Sequence, residues 1–303
     1  MANRSRRKKK AKPQDNYREG NIDKSRPDSK PALIALLLVV ILIGSGLYLT
    51  SMVETDENVI NPTHGVEAEL VINNQNAEPG GETDFVLLVR NTGSATDIFT
   101  ISTKSNDGGF TIDVENGFET IMLNKDARKP LLINVKIPSS AEGLLYAYME
   151  VVSGGDSTKR AEVKLEVNTE HDFGNLTKIG DSVNVHYAGI LASNAKLFDS
   201  SMEYMWDNYQ YRRTGVTNNN KHTDTLPASH IGCVEADNPT EDCNGSKGMI
   251  SGFDSKMIGM YEGQTLAVRI PAKDAYGAQA NPNDPSSLAG EDLIFIIQMV
   301  NIN

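Results

Sequence analysis

Val183-Asn184-Val185-His186-Tyr187-Ala188-Gly189, followed by Leu197-Phe198-Asp199-Ser200-Ser201, decides how this chain is read. Alternation with period two puts Val183, Val185 and Tyr187 on one face of a strand. Ala192-Ser193-Asn194 supplies a hairpin turn, and Lys196–Ser200 returns as the partner strand. A second run, Met249-Ile250-Ser251-Gly252-Phe253, precedes an apolar face of Phe253, Met257 and Met260 long enough for about two helical turns. Leu266–Ile270 and Asp292–Val300 read as further strands, and Asp274-Ala275-Tyr276-Gly277 follows Pro271. Together these runs gather several aromatics, one carboxylate and one exposed backbone N–H around a single apolar pocket.

Outward from this pocket the chain changes character. Residues 169–178 read as a linker. Residues 65–168 carry about eight short strands broken by Gly, Pro, Asn and Asp, which is the spacing of an all-β antiparallel sandwich. The segment Thr83–Val89, the turn Asn91-Thr92-Gly93 and the strand Asp97–Ser102 resemble Ig-like repeats of surface proteins. No cluster of His, Cys and carboxylates occurs there, so a spacer or protein-contact module is expected. His64 and His171 at its edges read as solvated linker residues. Residues 54–64 form a polar linker.

Ala32 to Leu49 contains 18 residues without a charge, and with Thr50–Val53 reaches the length needed to cross a hydrocarbon core of about 30 Å. The stretch 31–53 is therefore expected to be an uncleaved transmembrane helix, with the lipid bilayer as a partner of residues 32–53. Residues 1–30 hold eleven Lys and Arg against four Asp and Glu. The positive-inside rule puts this disordered basic head in the cytoplasm and residues 54–303 outside the cell membrane, as a single-pass protein. The whole chain has a net charge of −11. Its acidic body excludes a nucleic-acid partner, because phosphate binding needs a basic footprint. Cys233 and Cys243 stand ten residues apart: either one local disulfide, plausible outside the cell, or two free thiols. No metal site or cofactor is expected.

The ordered blocks Gly180–Gly189, Phe198-Asp199-Ser200-Ser201, Ile250–Phe253, Gly259–Gly263, Ile270-Pro271, Ala275-Tyr276-Gly277 and Leu293-Ile294-Phe295 resemble FK506-binding-protein-type (FKBP-type) peptidyl-prolyl cis–trans isomerases. The resemblance covers most of residues 179–303. It implies an α+β fold, an antiparallel sheet wrapped around one short helix, with proline-containing polypeptides as clients. It implies that Tyr187, Phe198, Asp199 and Tyr276 carry the catalysis, with Asp199 and Tyr276 as polar edges. Met249, Ile250, Phe253, Leu288 and Phe295 would bind the substrate, Phe253 at a floor position where the family often has Trp. The Ile250 N–H would hydrogen-bond the substrate.

Two stretches depart from the family. The insertion 202–248 is far longer than the usual bulge and carries the chain's single Trp, at 206. A lid, a partner site and a decorated loop are all open readings. The loop 278–292 is polar, with Leu288 as its one apolar candidate. Arg212 and Arg213 are expected to be solvated, and His186 to pack on the strand's other face. The alternative to an isomerase is a non-catalytic binding or chaperone module of the same fold, or a surface scaffold in which the sandwich is the working part.

Overall fold

The computed structural model describes residues 61–233, 249–284 and 286–303. The basic head, the expected anchor at 31–53, most of the 54–64 linker and Cys243 lie outside the described residues. Among the described residues no helix is long and apolar enough to cross a membrane.

Among the described residues, nine strands precede residue 170: β1 (Val66–Leu70), β2 (Asn74–Asn76), β3 (Glu82–Asn91), β4 (Asp97–Asn106), β5 (Thr111–Val114), β6 (Thr120–Leu123), β7 (Arg128–Lys136), β8 (Leu144–Ser153) and β9 (Arg160–Asn168). They form two sheets, ordered β1-β3-β7-β5 and β2-β9-β8-β4-β6. Alternate residues of both sheets, among them Phe85, Leu87, Phe99, Ile101, Ile133, Met149 and Leu165, close on one core. β2 has no apolar residue to announce it. It pairs in parallel with β9, from Asn74 opposite Glu166 to Asn76 opposite Asn168. The Gln75 amide, buried, donates to the Asp84 carbonyl at 2.8 Å.

His64 is not a solvated linker residue. Its Nδ1 lies 2.9 Å from Asp97 Oδ2, and Asp97 also accepts from Ser153 Oγ at 2.5 Å. His171 packs edge-on against Phe173, with ring centroids 4.7 Å apart.

The C-terminal sheet contains β10 (Val183–Leu191), β11 (Leu197–Ser200), β12 (Leu226–Ala228), β13 (Thr265–Ile270) and β14 (Leu293–Ile302), in the order β11-β10-β14-β13 with β12 also on β10. Among the described residues two six-residue helices accompany it, α1 (Glu203–Asn208) and α2 (Ser251–Lys256). Val183, Val185, Leu293, Phe295, Ile297 and Met299 face α2, where Phe253, Met257 and Met260 complete the core. Gly252 permits that approach, since a Cβ there would stand 2.3 Å from Ile270 Cγ2. Residues 174–177 are bonded to this domain: Thr177 is buried and its hydroxyl donates to the carbonyls of Met257 and Met260 at 2.6 and 2.9 Å.

The opposite face of the C-terminal sheet is also buried. Ala188, Ile190, Ala267, Ile294 and Ile296 pack against Val86 and Leu88 of β3. β3 is therefore apolar on both sides, with Phe85, Leu87 and Val89 in the sandwich core and Val86 and Leu88 in the second interface. Continuous apolar runs are what a strand buried on both faces requires. Each fully buried Leu or Ile contributes about 1.5–3 kcal/mol. Glu115 and Arg269 meet at the edge of this interface, and Arg128 stacks 3.7 Å above the Tyr211 ring.

The first half of the 202–248 insertion belongs to the same interface. Met205, Trp206 and Tyr209 are 0%, 2% and 5% exposed, and Met205 and Tyr209 join the β3-facing cluster. The Trp206 indole N–H donates to the Ser200 carbonyl at 2.7 Å, and the Tyr209 hydroxyl to the Ala195 carbonyl at 2.5 Å. Tyr211 and Arg213 then pair with Leu197, extending the sheet edge. This half of the insertion is a wedge fixed between the two domains.

Candidate active site

β10 and β11 run antiparallel with Gly189 opposite Asp199. Tyr187 and Phe198 point to the α2 side, and β14 brings Phe295 between them. The rings interlock: Phe253–Phe295 centroids lie 5.0 Å apart and Phe198–Phe295 5.6 Å, both edge-on, and Tyr187–Phe253 6.2 Å. Edge-to-face packing at these separations is the favoured arrangement for aromatic rings. Phe253 and Phe295 form the closed base, at 2% and 4% exposure, while Tyr187 and Phe198 are half-buried. Gly189 makes room for the wall, because a Cβ there would lie 2.3 Å from Phe198 Cζ.

Met249, Ile250 and Leu288 are half-buried and pack against the same cluster. Ile250 caps α2, its carbonyl accepting from the N–H groups of Phe253 and Asp254 at 3.1 Å each. Among the described residues its own N–H has no partner. Tyr276 follows the 3-10 turn Ala272–Asp274 and is 50% exposed. Burial, and after it the Asp199 charge, raise its phenol pKa.

The polar edge is organised on Asp199. The Tyr187 hydroxyl donates to Oδ2 at 2.6 Å. Oδ1 accepts from the Ser200 N–H at 2.9 Å and lies 3.0 Å from His222 Nε2. Burial first, then the bond to Asp199 and its charge, push the Tyr187 phenol well above the ordinary tyrosine range, so it stays a neutral donor. With both oxygens engaged, Asp199 orients its neighbours and sets the local field; the geometry gives it no proton-abstracting role.

Seven of the nine predicted residues pack in one cluster, Tyr187, Phe198, Met249, Ile250, Phe253, Leu288 and Phe295, and Asp199 joins it through the Tyr187 hydroxyl. His222 was not foreseen. It reaches Asp199 across 23 residues through the insertion, and no periodicity or motif marks it. Its ring also lies 6.2 Å from that of Tyr187 and 6.4 Å from that of Trp206. Arg212 and Arg213 are corrected from solvated to bonded. Arg212 sits 5.4 Å from the Trp206 ring and donates to the Trp206 carbonyl. Arg213 donates to the Ser287 carbonyl at 3.0 Å, joining the insertion to the 278–292 loop. Cys233 is buried and is not a free thiol; Cys243 lies outside the described residues.

A second recess, of about 500 Å³, lies where the two domains meet, lined by amide side chains of Asn73–Asn76 with His186, Tyr204 and Gln298. It has no aromatic cluster like the one beside Asp199.

Residues 174–300 match the family described as FKBP-type peptidyl-prolyl cis-trans isomerase. This segment is an FKBP-type domain. It is also similar to peptidyl-prolyl cis-trans isomerase FKBP15-2 of Arabidopsis thaliana, 28% identical over 124 residues, which are 41% of this chain and 55% of that one. The chain thus spans about half the length of the curated relative it matches. Among solved structures, a family 123 glycoside hydrolase from Clostridium perfringens gives a TM-score of 0.31 at 14% identity, covering 39% of this chain and 29% of that one. A FixG-related protein from Vibrio parahaemolyticus gives 0.28 at 10% identity, covering 36% and 98%. Likenesses of that size carry no argument. The β-rich domain before the FKBP-type domain stands on its own geometry.

Proposed function

We propose that this chain is a peptidyl-prolyl cis–trans isomerase acting on proline-containing segments of polypeptide clients. The observation that carries the reading is the closed aromatic base beside the Tyr187–Asp199 pair, set in an FKBP-type domain. An X–Pro amide must cross a barrier of about 18–20 kcal/mol because rotation destroys its resonance. The twisted amide is less polar than the planar one. A site that replaces water by aromatic rings therefore favours the twisted state over the ground state. Tyr187, Phe198, Phe253 and Phe295 hold the proline ring, the Ile250 N–H donates to a substrate carbonyl, and Asp199 and Tyr276 fix the polar edge. No nucleophile is needed.

The working location belongs to the same proposal. Residues 31–53 anchor the chain, the basic head stays in the cytoplasm, and residues 54–303 assist folding outside the membrane, with the sandwich as an Ig-like spacer and Cys233 paired with Cys243. The charge asymmetry and the uncharged run support this. Protease added to intact cells then removes the C-terminal body; a protected body overturns the topology.

The activity is tested by exchange measurements on an X–Pro peptide with the full chain. Acceleration that is lost in Asp199→Ala with Tyr276→Ala supports the enzyme. Binding of the peptide without acceleration by the folded wild type assigns a non-catalytic module instead.

A further inference from the structure

We infer that His222, delivered by the 202–248 insertion, is a positioning residue for the isomerase site that holds Asp199 in place and makes turnover depend on the protonation of one imidazole. The inference rests on the isomerase reading above.

Asp199 is held from two sides. Tyr187 donates to Oδ2 at 2.6 Å, and His222 Nε2 lies 3.0 Å from Oδ1. The Tyr187 side is part of the sheet. The His222 side is supplied by a segment that departs from the family pattern. Both members of the His222–Asp199 pair remain accessible, with side chains 40% and 43% exposed, so solvent protons reach the imidazole.

The insertion is built to fix that histidine. Trp206, fully buried and bonded to the Ser200 carbonyl, stands beside it. The preceding residue, Lys221, is turned away and pairs with Asp207 and Glu203 at 2.8 and 3.2 Å. A capping box at Thr217 and Asn220 shapes the approach. The groups facing His222 are Asp199 on β11, Tyr187 on β10 and the Trp206 ring on α1; Arg212 also contacts the Trp206 ring, and Tyr276 feels the Asp199 charge. Asp199 is the one anion bonded to the imidazole among the described residues.

A neutral imidazole with its proton on Nε2 donates one hydrogen bond to Asp199. That bond is already charge-assisted through the carboxylate, and the imidazolium adds the attraction of a second, opposite charge. Asp199 is then pinned harder, and Tyr187 with it. The specificity constant should be higher where His222 is charged than where it is neutral.

Trp206 gives a readout independent of turnover, because it is the single Trp of the chain and its ring lies 6.4 Å from that of His222. The experiment records Trp206 emission and the specificity constant for an X–Pro peptide between pH 5 and 8, on the full chain and on His222→Gln and His222→Ala. In the wild type, emission and activity should share one inflection, with activity falling severalfold toward alkaline pH. His222→Gln, which keeps an N–H donor, should retain neutral-pH activity and lose both inflections. His222→Ala should lose about tenfold, the size of one hydrogen bond to a charged group, and show no inflection. Wild-type activity that is flat while emission titrates, or a persistent activity inflection in His222→Gln, overturns the role of His222 and leaves the isomerase standing. No acceleration by the folded wild type at any pH overturns the isomerase reading and this inference with it.

Discussion

Arg269 and Glu115 meet as a forked pair, Nη2 to Oε1 at 2.5 Å and Nε to Oε2 at 2.8 Å, although 154 residues separate them. Arg269 lies on β13 of the FKBP-type domain and Glu115 follows β5 of the sandwich, so the pair ties the two together. Glu115 Oε1 also accepts from the Leu132 N–H at 3.0 Å. Their side chains are 20% and 10% exposed, and removing one partner strands the other charge. Glu115→Gln should cost about 2–4 kcal/mol in urea unfolding of the full chain, less than a fully buried pair would. Arg269→Met with Glu115→Leu should recover much of that loss. The FKBP-type domain expressed alone should bind a hydrophobic dye, because Ile190, Ile294 and Ile296 lose their cover.

Tyr187→Phe keeps the ring packing and deletes one donor to Asp199. The specificity constant for an X–Pro peptide should fall by roughly tenfold, the value of one bond to a charged group, with little change in stability. A drop in stability of more than about 2 kcal/mol would mean that the phenol serves the core instead.

Gly189→Ala tests the wall. The new Cβ would stand 2.3 Å from Phe198 Cζ, so the ring must leave its place over Phe295. Overpacking of this kind costs about 1–3 kcal/mol. Activity should fall further than stability does, which paired assays of exchange and thermal unfolding would show.

Trp206 separates a fixed wedge from a mobile lid. At 2% exposure its emission should be blue-shifted and poorly quenched by acrylamide, with or without a proline peptide. Trp206→Ala should cost about 3–5 kcal/mol in chemical denaturation, which a lid residue would not.

The raised phenols fix the alkaline limit. Burial and Asp199 raise Tyr187, and burial raises Tyr209. In the unfolded chain tyrosines ionise near pH 10. Above that value the unfolded state loses protons that the folded state keeps, so folding stability is fully present below about pH 10 and declines above it. Denaturant midpoints at pH 8 to 11 should show the decline, and Tyr209→Phe should flatten it.

The site residues were readable because each sits in a local pattern: Tyr187 by strand alternation, Phe253 at the start of a short helix, Tyr276 after the strand-ending Pro271. His222 has no such signature, and its place depends on a loop path that only the closed structure defines. Arg212 and Arg213 were misread for the same reason, since solvation is the default for arginine until a partner is in view. β2 escaped because Asn74-Gln75-Asn76 pairs through its backbone alone.

By itself the sequence determined most of the strands of both domains, the aromatic residues of the candidate site and the charge asymmetry of the chain, because these follow from period, residue type and order. The apolar runs Phe85–Val89 and Leu293–Ile297 are buried on both faces in the structure. Only the tertiary structure decided what covers them: the sandwich lies against the back of the FKBP-type sheet, with Met205 and Tyr209 packed at the junction and His222 closing on Asp199. Those contacts join residues far apart in the chain, and they exist because two apolar faces that cannot remain in water found each other.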